Sequence, residues 1–145
     1  MPILTYSLSP DGPIINCQIG VSQPRAQALI ASGRQVPAPI NARMLLDTGA
    51  SITCVESGLL APLSLTPSGQ VQFHSASTGG TAVQCQQFDV SLTILHPDLS
   101  RHHTVVPVIE VNPLNGPFDG LLGRDILADC MLVYQGQVRT FYLAF

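Results

Sequence analysis

The chain has 145 residues, enough for one domain spanning residues 1–145 with its own core, and it carries a formal net charge of −3. Charged residues make up only 10% of the sequence and hydrophobic residues 46%, so we expect some apolar surface to be covered by a second subunit. Scattered arginines, no long apolar run and no signal-peptide pattern predict a cytoplasmic protein that binds neither nucleic acid nor membrane.

Short segments rich in β-branched and aliphatic residues follow one another along the chain. Twelve glycines and twelve prolines separate them, a pattern typical of an all-β protein. In chain order, we predict strands at residues 3–8, 14–21, 40–46, 71–75, 82–95, 105–111, 120–122, 131–134 and 138–144.

Helical signals are few. The polar connection at residues 22–38 contains several prolines and predicts at most a short helical turn at 26–31. Residues 125–130 predict one short helix near the C-terminus, because Asp125 can place its charge on the first turn and Ile126 and Leu127 lie on one side.

Two glycine-containing segments predict turns. Residues 75–82 include Gly79-Gly80, which permits the positive φ angles that a hairpin tip requires. The segment Gln135-Gly136-Gln137 should turn the chain, so that residues 138–145 either pair back or reach a second subunit.

The segment Leu46-Asp47-Thr48-Gly49 is the first candidate functional motif. It places a carboxylate on a tight turn after an apolar strand, where Gly49 allows close approach of backbone or substrate and Thr48 can hydrogen-bond across the turn. An ordinary turn is the alternative, because this tripeptide arises by chance in roughly a few per cent of chains of this length.

A second motif accompanies it. The segment Asp119-Gly120-Leu121-Leu122-Gly123-Arg124-Asp125 begins 72 positions after Asp47. With the glycine-rich hairpin between them, the two motifs resemble the retroviral proteases, the retropepsins, in order and approximate spacing over about residues 40–129. The resemblance implies a single-domain closed barrel with a flap hairpin and one short C-terminal helix.

The resemblance also implies roles for individual residues. Asp47 matches the catalytic aspartate, Thr48 the residue that interlocks two subunits, and Gly49 the backbone beside them. The implied substrate-contacting residues comprise the cleft backbone, the flap tip and the walls of side-chain pockets: Leu45, Ala50, Ser51, Ile52, Thr78, Gly79, Gly80, Thr81, Phe118 and Leu121. The implied structural residues are Leu122, Gly123 and Arg124.

Ser51 departs from the family pattern. Retropepsins usually carry an acid at this position, where it pairs with the arginine. Arg124 therefore needs another partner, and Glu56, Asp125 and Asp129 are the candidates.

The predicted chemistry needs two carboxylates that share one proton, because like charges about 3 Å apart cannot both ionise easily. The sequence holds no second Asp-Thr-Gly or Asp-Ser-Gly, so the second carboxylate must come from a second copy. We therefore predict an aspartic endopeptidase that acts as a homodimer on extended peptide or protein substrates without a metal or cofactor. Residues 3–8 and 140–145 are expected to interleave with their mates in an intersubunit sheet.

Other interpretations remain open. The same fold could serve as a dimerisation or peptide-binding module without turnover. The four histidines are expected to be loop residues rather than metal ligands. Cys17, Cys54, Cys85 and Cys130 are expected to be free thiols, since they form no C-x-x-C pair and nothing indicates secretion.

Overall fold

The computed structural model describes residues 1–75 and 79–145. It contains ten strands: β1 (Ile3–Ser7), β2 (Ile14–Val21), β3 (Ile40–Leu46), β4 (Cys54–Glu56), β5 (Gly69–Phe73), β6 (Val83–Ile94), β7 (Arg101–Val111), β8 (Gly120–Leu122), β9 (Met131–Gln135) and β10 (Thr140–Ala144). It also contains α1 (Gln23–Ala31), α2 (Arg124–Leu127) and a 3-10 turn at Ala61–Leu63.

Six strands form a closed barrel. They are hydrogen-bonded in the order β2-β3-β8-β4-β7-β6, and β2 also pairs with β6, which closes the ring. β5 extends the sheet beyond β6. Two of the pairings are parallel, β3 with β8 and β4 with β7. The predicted all-β closed barrel is therefore confirmed.

Alternate residues of the barrel strands fill its interior. On β2, Ile15 is 2% exposed, and Cys17 and Ile19 are fully buried. Met44 of β3 is also fully buried in this core. The alternation of buried and exposed residues along these strands therefore explains how the barrel interior is filled.

A second, three-stranded sheet joins the two ends of the chain. β10 lies between β1 and β9, with Ile3 opposite Ala144 and Thr140 opposite Gln135. Both edges of β10 are thus occupied by strands of the same chain. The prediction that residues 138–145 pair back through the turn at residue 136 is confirmed, whereas the intersubunit sheet of residues 3–8 and 140–145 stays a prediction.

β4 and α1 depart most from the sequence-based expectation. β4 was not predicted, because Cys54–Glu56 is only three residues long and has no alternating pattern. α1 extends the predicted helical turn to nine residues, beginning with Pro24 in its first turn and burying Leu29. Neither helix in the described residues is long and apolar enough to cross a membrane.

Candidate active site

Asp47 lies immediately after β3, on a turn that is fixed by backbone hydrogen bonds. Its N–H donates to the carbonyl of Leu122 on the neighbouring parallel strand, at 3.0 Å. The Gly49 N–H donates to Asp47 Oδ1 at 2.8 Å, and the Ala50 N–H donates to the Asp47 carbonyl at 3.2 Å. Thr48 and Gly49 are exposed. The turn therefore holds one carboxylate oxygen in place at an accessible corner of the barrel.

Arg124 supports this turn from the start of α2. Its Nη1 donates to the Thr48 carbonyl at 2.8 Å, and its backbone N–H donates to the Ala50 carbonyl at 2.9 Å. Within the residues that the structure describes, no ion pair involves Arg124. None of the three carboxylates considered as its partner fills that role, because the Arg124 guanidinium bonds the backbone carbonyl of Thr48 instead.

Two of those carboxylates have other partners. Glu56 Oε2 accepts a hydrogen bond from the Leu114 N–H at 3.0 Å. Asp125 accepts from the Thr53 N–H at 2.9 Å and from the Thr53 hydroxyl at 2.8 Å. The Thr53 oxygen in turn accepts from the Gly123 N–H at 3.1 Å. Thr53 was not predicted as a site residue, because no motif surrounds it in the sequence.

Gly123 is required by a close approach between two loops. A Cβ at this position would lie 2.7 Å from the carbonyl carbon of Ile52 and 2.9 Å from its oxygen. The absence of a side chain therefore lets the start of α2 pack directly against the segment that follows the catalytic turn.

A cleft of about 520 Å³ opens beside Asp47. Six predicted site residues line it together: Asp47, Gly49, Ala50, Ser51, Ile52 and Leu121. Residues 71–75, which comprise the end of β5 and the two residues after it, also line the cleft. These residues were predicted as a strand but not as part of the site, although their position just before the glycine-rich hairpin was the available signal.

Other predicted site residues lie elsewhere. Leu45 and Phe118 do not line this cleft: Leu45 packs against Gly12, and the Phe118 ring covers Gly116. Gly79 and Gly80 adopt the predicted positive φ angles, 62° and 80°, and Thr81 is exposed. Thr78 lies outside the described residues.

A smaller apolar pocket of about 130 Å³ adjoins the cleft. The two share Phe73, Ser75 and Leu121. Cys85, Val111 and Leu114 are among the other residues lining the smaller pocket. Its volume and lining suit one aliphatic side chain.

Burial disfavours ionisation of the Cys54 thiol, which argues against a nucleophilic role for it. Burial raises the pKa of Cys54 to about 11, and the charge of Asp47 contributes in the same direction. All four cysteines are free, as predicted. Among the described residues, no three of His, Cys, Asp and Glu lie close enough together to hold a metal ion.

Comparison with known proteins identifies a family for this chain and solved structures of similar fold. A family model described as aspartyl protease matches residues 27–126. A retropepsin-like aspartic protease from Rickettsia conorii has a similar fold, with a TM-score of 0.59 and 11% sequence identity, covering 98% of this chain and 90% of that one. A search of curated proteins found no match.

Proposed function

The chain belongs to the aspartyl protease family, and from that premise we propose that it is an aspartic endopeptidase that acts as a homodimer. Each copy contributes one Asp47 carboxylate to a shared centre. The observation that carries the proposal is the position of Asp47, on a rigid exposed turn that opens into the 520 Å³ cleft.

Two copies of this turn, related by a two-fold axis, supply both catalytic functions. One carboxylate takes a proton from water while the other, which holds the shared proton, donates a hydrogen bond to the scissile carbonyl. The attacking oxygen then bonds to the carbonyl carbon, and the amine leaves with a proton from the pair. The pair titrates as a unit, so activity depends on one proton being shared between the two subunits.

The edge of β5 favours an extended peptide as substrate. β5 pairs with β6 on one side, and residues 71–75 face the cleft on the other. An extended peptide can therefore pair with the backbone of β5 as an added strand. We assign Ala50, Ser51, Ile52 and Leu121 to the facing wall, and the hairpin at residues 79–81 to the flap.

A cleavage screen with a peptide library at several pH values tests the proposal. The wild type is compared with Asp47→Asn, which keeps an oxygen to accept the Gly49 N–H bond and so preserves the turn. Asp98→Asn is the matched control, since the Asp98 side chain is 87% exposed and lies outside the cleft. We expect cleavage by the wild type and the control and none by Asp47→Asn.

Binding of a pepstatin-type inhibitor at acidic pH separates this proposal from a module without turnover. Inhibitor binding together with cleavage supports the enzyme. A folded dimer that binds peptides and cleaves none across the pH series contradicts it and favours the binding module.

A further inference from the structure

β5 presents two chemically different faces to the cleft. Val71 and Phe73 are half-buried and pack with the apolar cluster that includes Leu121. Gln72 on β5 and His74, the first residue after the strand, alternate with them and are exposed. Residues of both faces line the cleft, as expected where a cleft meets the edge of a strand rather than one of its faces.

The apolar face leads into the smaller pocket. Phe73 and Ser75 line both the cleft and the pocket of about 130 Å³. A substrate side chain that lies on this face of β5 therefore enters a site built for an aliphatic group.

The other face carries hydrogen-bonding groups without partners. Within the described part of the chain, the side chains of Gln72 and His74 make no hydrogen bond or ion pair. His74 is also the basic residue among those lining the cleft, and Asp47 is the acidic one. An imidazole donates an N–H in either protonation state and carries a positive charge in one of them.

Strand geometry places neighbouring residues of a bound peptide on opposite faces. A peptide that pairs with the edge of β5 places successive side chains alternately on the two faces. The residue that enters the apolar pocket is therefore a direct sequence neighbour of the residue that lies on the His74 face.

We propose that His74 is a specificity-determining residue that selects peptides in which an acidic residue directly adjoins the apolar residue held in the smaller pocket. The proposal rests on the proposed endopeptidase function and names its substrate class. The carboxylate of the acidic residue accepts a hydrogen bond from the His74 imidazole, and the Gln72 amide supplies a second donor on the same face.

The expected preference is modest because His74 is exposed. Exposed ion pairs between flexible side chains give about two- to fivefold discrimination. A carboxylate should therefore be preferred over the corresponding amide by that factor in kcat/KM.

The test is a set of peptides with one fixed leucine, in which Glu or Gln is placed in turn at each neighbouring position. When the Glu lies next to the leucine, wild-type protein should cleave that peptide about two- to fivefold faster than the peptide with Gln at the same position. His74→Gln should bring this ratio to about one, and His74→Lys should retain it. His102→Gln is the control, because His102 is exposed and bonds Thr93 outside the cleft.

Three results overturn the proposal: a ratio of one in the wild type, a ratio that survives His74→Gln, or an equal slowing of all peptides by that variant. The third would mean that His74 acts on the catalytic carboxylates. The binding of labelled Glu and Gln peptides to Asp47→Asn protein provides a readout that needs no turnover. If no peptide is cleaved but the Glu peptide binds more tightly in a His74-dependent manner, the endopeptidase function fails and the recognition stands.

Discussion

The carboxylate of Asp125 accepts two hydrogen bonds from Thr53, one from the backbone N–H at 2.9 Å and one from the hydroxyl at 2.8 Å. Thr53 is fully buried, and its oxygen also accepts the Gly123 N–H. This contact joins the segment after the Asp47 turn to the start of α2. The geometry of the site therefore depends on a residue that does not line the cleft.

Thr53→Val should destabilise the protein and lower its activity. Valine fills the same space but leaves the buried Gly123 N–H without an acceptor, which costs about 1–3 kcal/mol in the free energy of unfolding. Urea unfolding measures this loss. Thr104→Val, at an exposed position on β7, should change stability little, and Thr53→Ser should retain most of it. Equal stability of the valine and serine variants at position 53 would contradict the role of the hydroxyl.

Gly123→Ala should displace the catalytic turn. The new Cβ would lie within 3 Å of Ile52 backbone atoms, which cannot move without moving the segment after Asp47. We expect a loss of about 1–3 kcal/mol in unfolding free energy and a fall in kcat larger than any change in KM. Gly69→Ala is the matched control, because a Cβ there meets nothing within 4 Å. A variant as stable and active as the Gly69→Ala protein would show that the contact is not tight.

The strand-rich sequence predicted the all-β class, and the resemblance to retropepsins added the closed barrel that the structure has. The predicted bounds of β2, β3 and β8 match those of the structure. Buried residues alternate along β3, whereas β8 was predicted as a short apolar segment between glycines. The partner of Arg124 was not predictable, since it is the backbone carbonyl of Thr48. Every residue has a carbonyl, so the sequence does not indicate which one an arginine will bond. The wall formed by residues 71–75 was missed because it depends on where the edge of β5 meets the barrel end.

Stability should fall in alkaline solution because of Cys17. Burial raises the pKa of this thiol to about 12 from the ordinary value of 9.0. Its contribution to stability is therefore complete below pH 9 and is lost as the pH rises toward 12, since the unfolded chain ionises first. The loss amounts to at most roughly 1.4 kcal/mol per pH unit.

Urea unfolding with a reductant at pH 8, 9 and 10 tests this dependence. Tyr6, whose pKa burial raises to about 12, and Cys54 act in the same direction. In Cys17→Ala, the free energy of unfolding should fall less steeply with rising pH. Ile15→Val removes core volume without removing an ionisable group, so it should lower the free energy of unfolding equally at each pH. An unchanged slope in Cys17→Ala would show that this thiol does not cause it.

Subunit mixing should reveal that two Asp47 residues share one active site. When wild type and Asp47→Asn are mixed in equal amounts and allowed to exchange, about a quarter of the dimers contain two wild-type subunits. Activity should therefore fall to about half that of the same amount of wild type alone, and to about a tenth with a tenfold excess of the variant.

The same mixing with Asp98→Asn provides the control, because that variant keeps Asp47 and should add activity instead of removing it. The comparison is informative because the Gly49 N–H can still bond an asparagine oxygen, so mixed dimers retain the turn and differ only in their ability to share a proton. If activity stays constant while fluorescence energy transfer between separately labelled subunits shows that they exchange, one aspartate is enough for cleavage. The second carboxylate would then have to be sought within the same chain.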